Sequence, residues 1–273
     1  MHLRNSLVAG IILAVLPALP AAAAVNINLS NPTVTQTPQG ENVEQSVSLA
    51  NAVANYQMTY TAEHSADATK ILSDSWGWKQ GYVPLGMTGP SQVNWYYQAF
   101  FNWQINGDSI HLVPATPRVV REAGESAMIE YSWELPSASV SIRFAMVDDS
   151  DKLLVFGELE PKEEIEESFL KFVCYPAFFP EPRNRAVTTA LGTRFPGEEI
   201  QVDLAQEHWA LYEDVSERRE GAGSAGMIFG TPNAFDSITI PVGAYGITTT
   251  LRLRPETRRF AIALYDFPGM PDY

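Results

Sequence analysis

Short runs of alternating apolar and polar residues recur along most of this 273-residue chain. In the run 139–147 (SVSIRFAMV), Val140, Ile142 and Phe144 fall on one side, and serine or arginine falls on the other. A period of two is typical of strands that bury one face in a core. Thirteen such runs are separated by glycine, proline or aspartate. They lie at 55–62, 93–105, 109–114, 127–134, 139–147, 152–159, 168–175, 186–194, 208–213, 225–230, 236–242, 246–254 and 258–266.

Few segments favour helix. Only 41–53 (ENVEQSVSLANAV) and 65–72 (SADATKIL) are expected to form short helices. The single cysteine, Cys174, excludes an intrachain disulfide, so the fold must depend on its hydrophobic core. Strands as long as the run 93–105 indicate broad sheets with a wide concave face. The predicted fold class is therefore all-β, a large antiparallel two-sheet sandwich.

The first 24 residues predict a signal peptide. Arg4 precedes the apolar stretch 6–20, and the small residues Ala22 and Ala24 follow it, so cleavage is expected after Ala24. The protein is then exported, to a periplasm or to the extracellular space. Residues 25–273 are expected to form one domain. Its first part, 25–42, is interpreted as a flexible lead-in or as a first edge strand.

The charge balance excludes some partners. Without Arg4 the mature chain has 17 basic and 32 acidic residues, a net charge of −15. Such a surface repels nucleic acid and anionic membranes, so neither is an expected partner beyond the export signal. A polyanionic ligand could bind only at a local basic patch. Cys174 itself is expected to be a small buried hydrophobe.

Metal and cofactor motifs are absent from the sequence. There is no HExxH motif, no paired cysteines, no P-loop and no GxSxG elbow, so no metal and no cofactor are expected. The acidic stretch 147–152 (VDDSDK) is interpreted as a hairpin turn, and the glutamate-rich stretch 158–168 as a solvated connection. The alternative for each is a cation site.

Aromatic rings, amides and guanidinium groups favour a carbohydrate-binding site. Sugars present apolar C–H faces to rings and hydroxyl groups to amide or guanidinium groups. The alternative is that the same rings pack under a loop or against a neighbouring protein domain. The candidate ligand-binding residues are Trp76, Trp78, Asn94, Tyr96, Gln98, Phe100, Arg183 and Arg185.

The segment 133–179 (WELPSASVSIRFAMVDDSDKLLVFGELEP…FLKFVCYPAFF) is a strand, an acidic turn, a second strand and a strand that ends in a Tyr-Pro step. In this pattern it resembles the galactose mutarotase-like supersandwich family; a jelly roll is the alternative. The resemblance implies a domain of the kind found in sugar epimerases, polysaccharide lyases and some glycosidases. Epimerising members use a histidine acid and a glutamate base, for which 206–214 (QEHWALYED) is the nearest stretch here.

Histidines are the weak catalytic candidates. His208, His111 and His64 could each act as a general acid or base, but a hydrogen-bonded structural histidine is the commoner outcome. Three hypotheses therefore remain open. The first is an exported carbohydrate-binding protein, the second is a polysaccharide lyase, epimerase or glycosidase on the same fold, and the third is an interaction module of an envelope or extracellular assembly.

Overall fold

The computed structural model describes residues 25–38, 40–65, 82–88, 95–96, 101–176, 185–214 and 224–266, without the side chains of 62–65, 82–88, 95–96 and 101. The signal peptide prediction lies outside this description. The strands are β1 (Val25–Leu29), β2 (Thr33–Thr37), β3 (Gly40–Ala50), β4 (Asn55–Ser65), β5 (Tyr82–Thr88), β6 (Trp95–Tyr96), β7 (Phe101–Ile105), β8 (Asp108–Ser109), β9 (Thr116–Arg121), β10 (Ala123–Gly124), β11 (Ser126–Glu134), β12 (Ala138–Val147), β13 (Lys152–Pro161), β14 (Ser168–Cys174), β15 (Arg185–Thr189), β16 (Gly192–Arg194), β17 (Glu199–Gln201), β18 (Trp209–Asp214), β19 (Ala225–Ile228), β20 (Phe235–Pro241), β21 (Ile247–Leu253) and β22 (Arg259–Asp266). Two 3₁₀ turns cover Ile110–Leu112 and Pro232–Ala234.

The described strands form three sheets. The nine-stranded sheet has the order β16-β15-β18-β19-β22-β13-β12-β11-β9. The six-stranded sheet has the order β17-β20-β21-β14-β7-β8, and the seven-stranded sheet has the order β10-β1-β3-β4-β5-β6, with β2 paired to β3. Each pairing between described strands is antiparallel, as in the hairpin of β12 and β13. The predicted large antiparallel all-β sandwich is confirmed.

The two smaller sheets cover one face of the nine-stranded sheet, which we call the inner face. The ring of Phe260 in β22 lies 5.4 Å from that of Trp103 and 6.0 Å from that of Phe235, both in the six-stranded sheet. Tyr131 in β11 lies 6.4 Å from Tyr60 in the seven-stranded sheet. One layer of the sandwich is therefore the nine-stranded sheet, and the opposite layer consists of two sheets.

Gly157 in β13 makes room for the inner-face ring of Phe260. The two residues are register partners, and a Cβ atom on Gly157 would lie 2.1 Å from Cε1 of Phe260. No other residue type could occupy this position without displacing the ring. Trp103, which packs against the same ring, is fully buried and donates a 2.9 Å hydrogen bond from Nε1 to Oγ of Ser168.

The acidic turn after β12 is the hairpin turn that the sequence indicates. Asp149 has a φ of 54°, which aspartate tolerates better than most residues. The Asn51 side chain fastens the turn to the seven-stranded sheet, because its Nδ2 donates to the carbonyls of Val147 (3.0 Å) and Ser150 (2.7 Å). The hydroxyl of Tyr56 donates to the carbonyl of Asp151 at 2.6 Å.

Several local expectations were wrong. The run 186–194 is a hairpin of β15 and β16 rather than one strand. Most of the predicted helix 41–53 belongs to β3, which pairs with β4 over its whole length. The run 109–114 contains only the last residue of β8, Ser109, followed by a 3₁₀ turn over Ile110–Leu112. The predicted single strand 93–105 contains β6 in the seven-stranded sheet and β7 in the six-stranded sheet. The alternation that it shows therefore serves two separate sheets.

Further expectations concern the N-terminal segment, Cys174 and membrane-spanning helices. The segment 25–42 holds β1, β2 and the start of β3. Of the two interpretations, the structure shows strands and not a lead-in without secondary structure. Cys174 is buried as a small hydrophobe. Within the described residues, no helix has the length and apolar character needed to cross a bilayer.

Candidate functional site

A groove lies on the outer face of the nine-stranded sheet, opposite the face that the smaller sheets cover. Its volume is about 460 Å³. Strand alternation points the side chains of β11, β12, β13 and β22 in turn to the core and to this face, and the edge strand β9 lies beside β11. The residues that line the groove include Arg118, Met128, Arg143, Phe156, Glu158 and Arg259.

Five charged residues cross the outer face as a continuous chain of ion pairs. We call Arg118, Glu130, Arg143, Glu158 and Arg259 the arginine ladder. The register explains it, because Glu130 lies opposite both Arg118 and Arg143, and Glu158 lies opposite Arg259. Directly opposed residues on antiparallel strands are close enough for side-chain pairing.

Glu130 is the inner carboxylate of the first half of the ladder. Its Oε1 accepts hydrogen bonds from Nε (3.1 Å) and Nη2 (2.7 Å) of Arg118. Its Oε2 accepts from Nε of Arg143 at 2.6 Å. The Glu130 side chain is only 10% exposed, so both of its oxygens are occupied by arginine and turned away from solvent.

Glu158 has the same role in the second half. Its Oε1 accepts from Nε (2.9 Å) and Nη2 (2.5 Å) of Arg259, and its Oε2 lies 3.1 Å from Nη2 of Arg143. Arg143 thus joins the two carboxylates. The side chains of Arg118 and Arg259 at the two ends are 66% and 79% exposed.

The ladder favours the charged forms of Glu130, Arg143 and Glu158. Burial raises the pKa of Glu130, but the hydrogen bonds from Arg118 and Arg143 outweigh it and leave that pKa below its usual value. The hydrogen bonds from Arg259 lower the pKa of Glu158. The pairing with Glu130 raises the pKa of Arg143 above its usual value.

Phe156 provides an apolar surface beside the ladder. It is half-buried in β13, opposite Arg143 in β12 on one side and opposite the small Ala261 in β22 on the other. Phe156 is among the residues that line the groove. The groove thus combines an aromatic ring, guanidinium donors and carboxylate acceptors within one sheet face.

Most of the sequence-predicted binding residues lie outside the described residues. These are Trp76, Trp78, Asn94, Gln98, Phe100 and Arg183. The backbone of Tyr96 belongs to β6, but its side chain is not described. Their role in binding stays a prediction.

Arg185 does not occupy the surface position expected of a ligand-binding arginine. Its side chain is fully buried, with Nη1 3.0 Å from Oδ2 of Asp214. Nη1 also donates to the carbonyl of Pro176, and Nε donates to that of Tyr245 at 3.3 Å. A buried arginine needs such partners, so the Arg185 guanidinium serves the interior of the fold.

The three candidate histidines are not assembled into one site. His208 is exposed and precedes β18, so it does not share the buried face of Ala210 and Tyr212 as a strand position would. His111 is buried in the first 3₁₀ turn. His64 lies in β4 opposite Glu41, and its side chain is not described.

The glutamate-rich connection is shorter than the expected 158–168, because residues 158–161 belong to β13 and Ser168 begins β14, which leaves 162–167 between the two strands. Its glutamates at 163, 164, 166 and 167 are exposed around the Asn106 side chain, whose Nδ2 donates to Oε1 of Glu163 at 3.0 Å. Oδ1 of Asn106 accepts from the backbone N–H of Glu166 at 2.9 Å. Across the described part of the chain, no three His, Cys, Asp or Glu side chains converge as metal ligands would.

Sequence reasoning missed the ladder, although a signal for it was present. Glu130, Arg143, Glu158 and Arg259 each occupy a polar position in the middle or at the end of a predicted strand. Charged residues at such positions in several strands indicate ion pairing on one sheet face when those strands are neighbours. The neighbours could not be assigned without the strand order.

No protein-family model matches the sequence, and no curated protein matches it. Among solved structures, the chain is similar to two GH36 alpha-galactosidases from Geobacillus stearothermophilus. AgaA has a TM-score of 0.45 and 10% identity over 82% of this chain and 41% of its own length. AgaB has a TM-score of 0.41 and 10% identity over 87% of this chain and 41% of its own length.

The chain thus spans about two fifths of the length of these galactosidases. It is also similar to a galactose mutarotase-like protein from Lactobacillus casei ATCC 334, with a TM-score of 0.38 and 8% identity over 86% of this chain and 99% of that one.

Proposed function

We propose that this chain is an exported carbohydrate-binding protein and that the outer-face groove is its sugar-binding site. The observation that supports the proposal is the half-buried ring of Phe156 beside the arginine ladder. A sugar ring offers an apolar face for the phenyl group and hydroxyl groups for the guanidinium donors. The groove volume of about 460 Å³ lies in the range of small-ligand sites.

The charge states in the groove favour binding over hydrolysis. A glycosidase general acid must hold a proton near neutral pH, which requires a raised carboxyl pKa. The pKa values of Glu130 and Glu158 are instead lowered by their arginine partners. Neither groove carboxylate therefore suits the role of general acid.

Export is part of the same proposal and depends on residues 1–24. N-terminal sequencing of the protein collected outside the cytoplasm is expected to begin at Val25, directly after Ala24. An exported chain that still begins at Met1 would contradict cleavage after Ala24, and a protein found only in the cytoplasm would contradict the export step.

A glycan-array screen of the mature chain tests the binding step. The Phe156→Ala variant should lose array binding because the apolar platform is gone. Phe169→Ala is the matched control, since Phe169 is a half-buried phenylalanine in β14 of the six-stranded sheet, with Nζ of Lys171 5.2 Å from its ring centroid. Binding that survives Phe156→Ala, or no binding by the wild type, would refute the proposal.

A further inference from the structure

We propose that the groove selects saccharides that carry an anionic group, a carboxylate or a sulfate, and that Arg118 and Arg259 bind this group. The inference rests on the proposed function, because it names the ligand class of the same site. Three arginines and two glutamates give the ladder a net charge of +1, whereas the mature chain has a net charge of −15. The groove is therefore a local basic patch on an acidic protein.

The ladder places its cations outward and its anions inward. The Glu130 and Glu158 side chains are 10% and 22% exposed, and every oxygen of both accepts or closely approaches an arginine nitrogen. A ligand in the groove therefore meets mainly N–H donors. Anionic oxygens are the acceptors that guanidinium groups bind most strongly.

The terminal arginines keep donors for such a ligand. Arg118 and Arg259 each use Nε and Nη2 on a glutamate, and no acceptor from the described part of the chain contacts their Nη1 atoms. The glutamate pairing also restrains each guanidinium group, which reduces the entropy lost when an anion binds. The pKa of Arg143 is raised, and the pKa values of Glu130 and Glu158 are lowered. These three groups therefore stay charged over a wide pH range.

The net charge of the chain limits the length of the ligand. Exposed charges are screened beyond about 8 Å at physiological ionic strength, so the ladder acts on an anion in the groove while the remaining surface repels anions outside it. A densely charged polymer would extend over that acidic surface. The favoured ligand is thus a short or sparsely charged saccharide.

Titration calorimetry with three probes of equal length tests the inference: galactotriose, trigalacturonate and a galactotriose that carries one sulfate. We expect at least one anionic probe to bind about tenfold more tightly than galactotriose, the size of one charge-assisted hydrogen bond. That preference should shrink as salt is raised from 50 to 500 mM. The carboxylate and sulfate probes distinguish the two sources of charge.

The double variant Arg118→Gln/Arg259→Gln tests the residues. It should lose at least about tenfold in affinity for the preferred anionic probe and less than about threefold for galactotriose. Arg252→Gln is the matched control, because Arg252 lies in β21 of the six-stranded sheet with 54% of its side chain exposed and a weak 4.0 Å approach to Asp236. Thermal unfolding of each variant confirms that it is folded.

The outcomes separate the two proposals. Equal binding of all three probes, binding of galactotriose alone, or an unchanged anionic preference in the folded double variant would overturn the inference while carbohydrate binding stands. If none of the probes binds, the glycan array distinguishes failure of this inference from failure of the proposed function. Wild-type binding confined to neutral glycans overturns the inference, binding confined to anionic glycans supports it, and no binding on the array refutes the proposed function itself.

Discussion

The two faces of the nine-stranded sheet are built from the same strands but differ in their surroundings. On the inner face, Phe260 and Tyr131 pack against rings of the two smaller sheets. On the outer face, Phe156 and the arginine ladder line a groove. Because neighbouring residues in a strand point to opposite faces, one substitution can alter either face separately. Stability should therefore depend on the inner face and ligand binding on the outer one.

Phenylalanine truncation on the two faces gives the largest expected difference. Phe260→Ala should lower the free energy of unfolding by about 3–5 kcal/mol, because it leaves a cavity beside Trp103 and Phe235. Phe156→Ala, in the adjacent strand, should cost about 1 kcal/mol, because its ring is already partly solvated. Denaturant unfolding of both variants measures the contrast, and equal losses would show that the outer face is also a packed core.

Gly157→Ala tests how closely the Phe260 ring packs over Gly157 on the inner face. The new methyl group would lie 2.1 Å from the Phe260 ring, so we expect a loss of about 2–3 kcal/mol from overpacking. In the Phe260→Ala background the ring is absent, and the same change should cost less than about 1 kcal/mol. A double-mutant cycle from chemical denaturation measures the coupling. Additive losses would mean that the ring does not lie over Gly157.

Much of the inner face could be predicted from the sequence alone. The buried positions Val140, Ile142 and Phe144 follow from alternation, and the turn at 147–152 follows from its aspartates. The expected helix at 41–53 failed for a physical reason. Its polar residues permit a helix, but pairing with β1, β2 and β4 makes this segment the middle of a sheet. Tertiary pairing overrides a weak local propensity.

The site was harder to predict because it depends on which strands are neighbours. Alternation places Glu130 and Arg143 on polar faces, but only the strand order brings Arg259 of β22 beside Glu158 of β13, 101 residues away. The run 93–105 failed for the related reason that alternation does not show where one strand ends and the next sheet begins. Sequence patterns therefore predicted the face of each residue better than its partners.

Glu130→Gln tests whether charge stabilises the outer face. The amide retains the shape but loses the charge-assisted hydrogen bonds to Arg118 and Arg143, so we expect a loss of about 1–2 kcal/mol at pH 7. The lowered pKa of Glu130 fixes the sign of the pH dependence. This stabilisation is fully present above the unfolded pKa of about 4.3 and is lost as the pH falls through the folded pKa.

The free energy of unfolding of the wild type and of Glu130→Gln should therefore differ by a constant amount between pH 7 and about 5.5, and the difference should close towards pH 2. Glu256→Gln, an exposed glutamate in the turn before β22, is the matched control and should show little difference at any pH. A gap between wild type and Glu130→Gln that does not change with pH would show that Glu130 is not held charged by its arginines.

The ends of the ladder should show the smallest effect on stability. Arg118→Gln and Arg259→Gln remove side chains that are 66% and 79% exposed, and exposed ion pairs contribute less than about 0.5–1 kcal/mol. We expect each variant to unfold within about 0.5 kcal/mol of the wild type by denaturant titration. A loss as large as that of Glu130→Gln would make the terminal arginines structural partners of the glutamates. A small loss would show that folding depends little on these two guanidinium groups. Both groups then remain surface donors that a ligand can use.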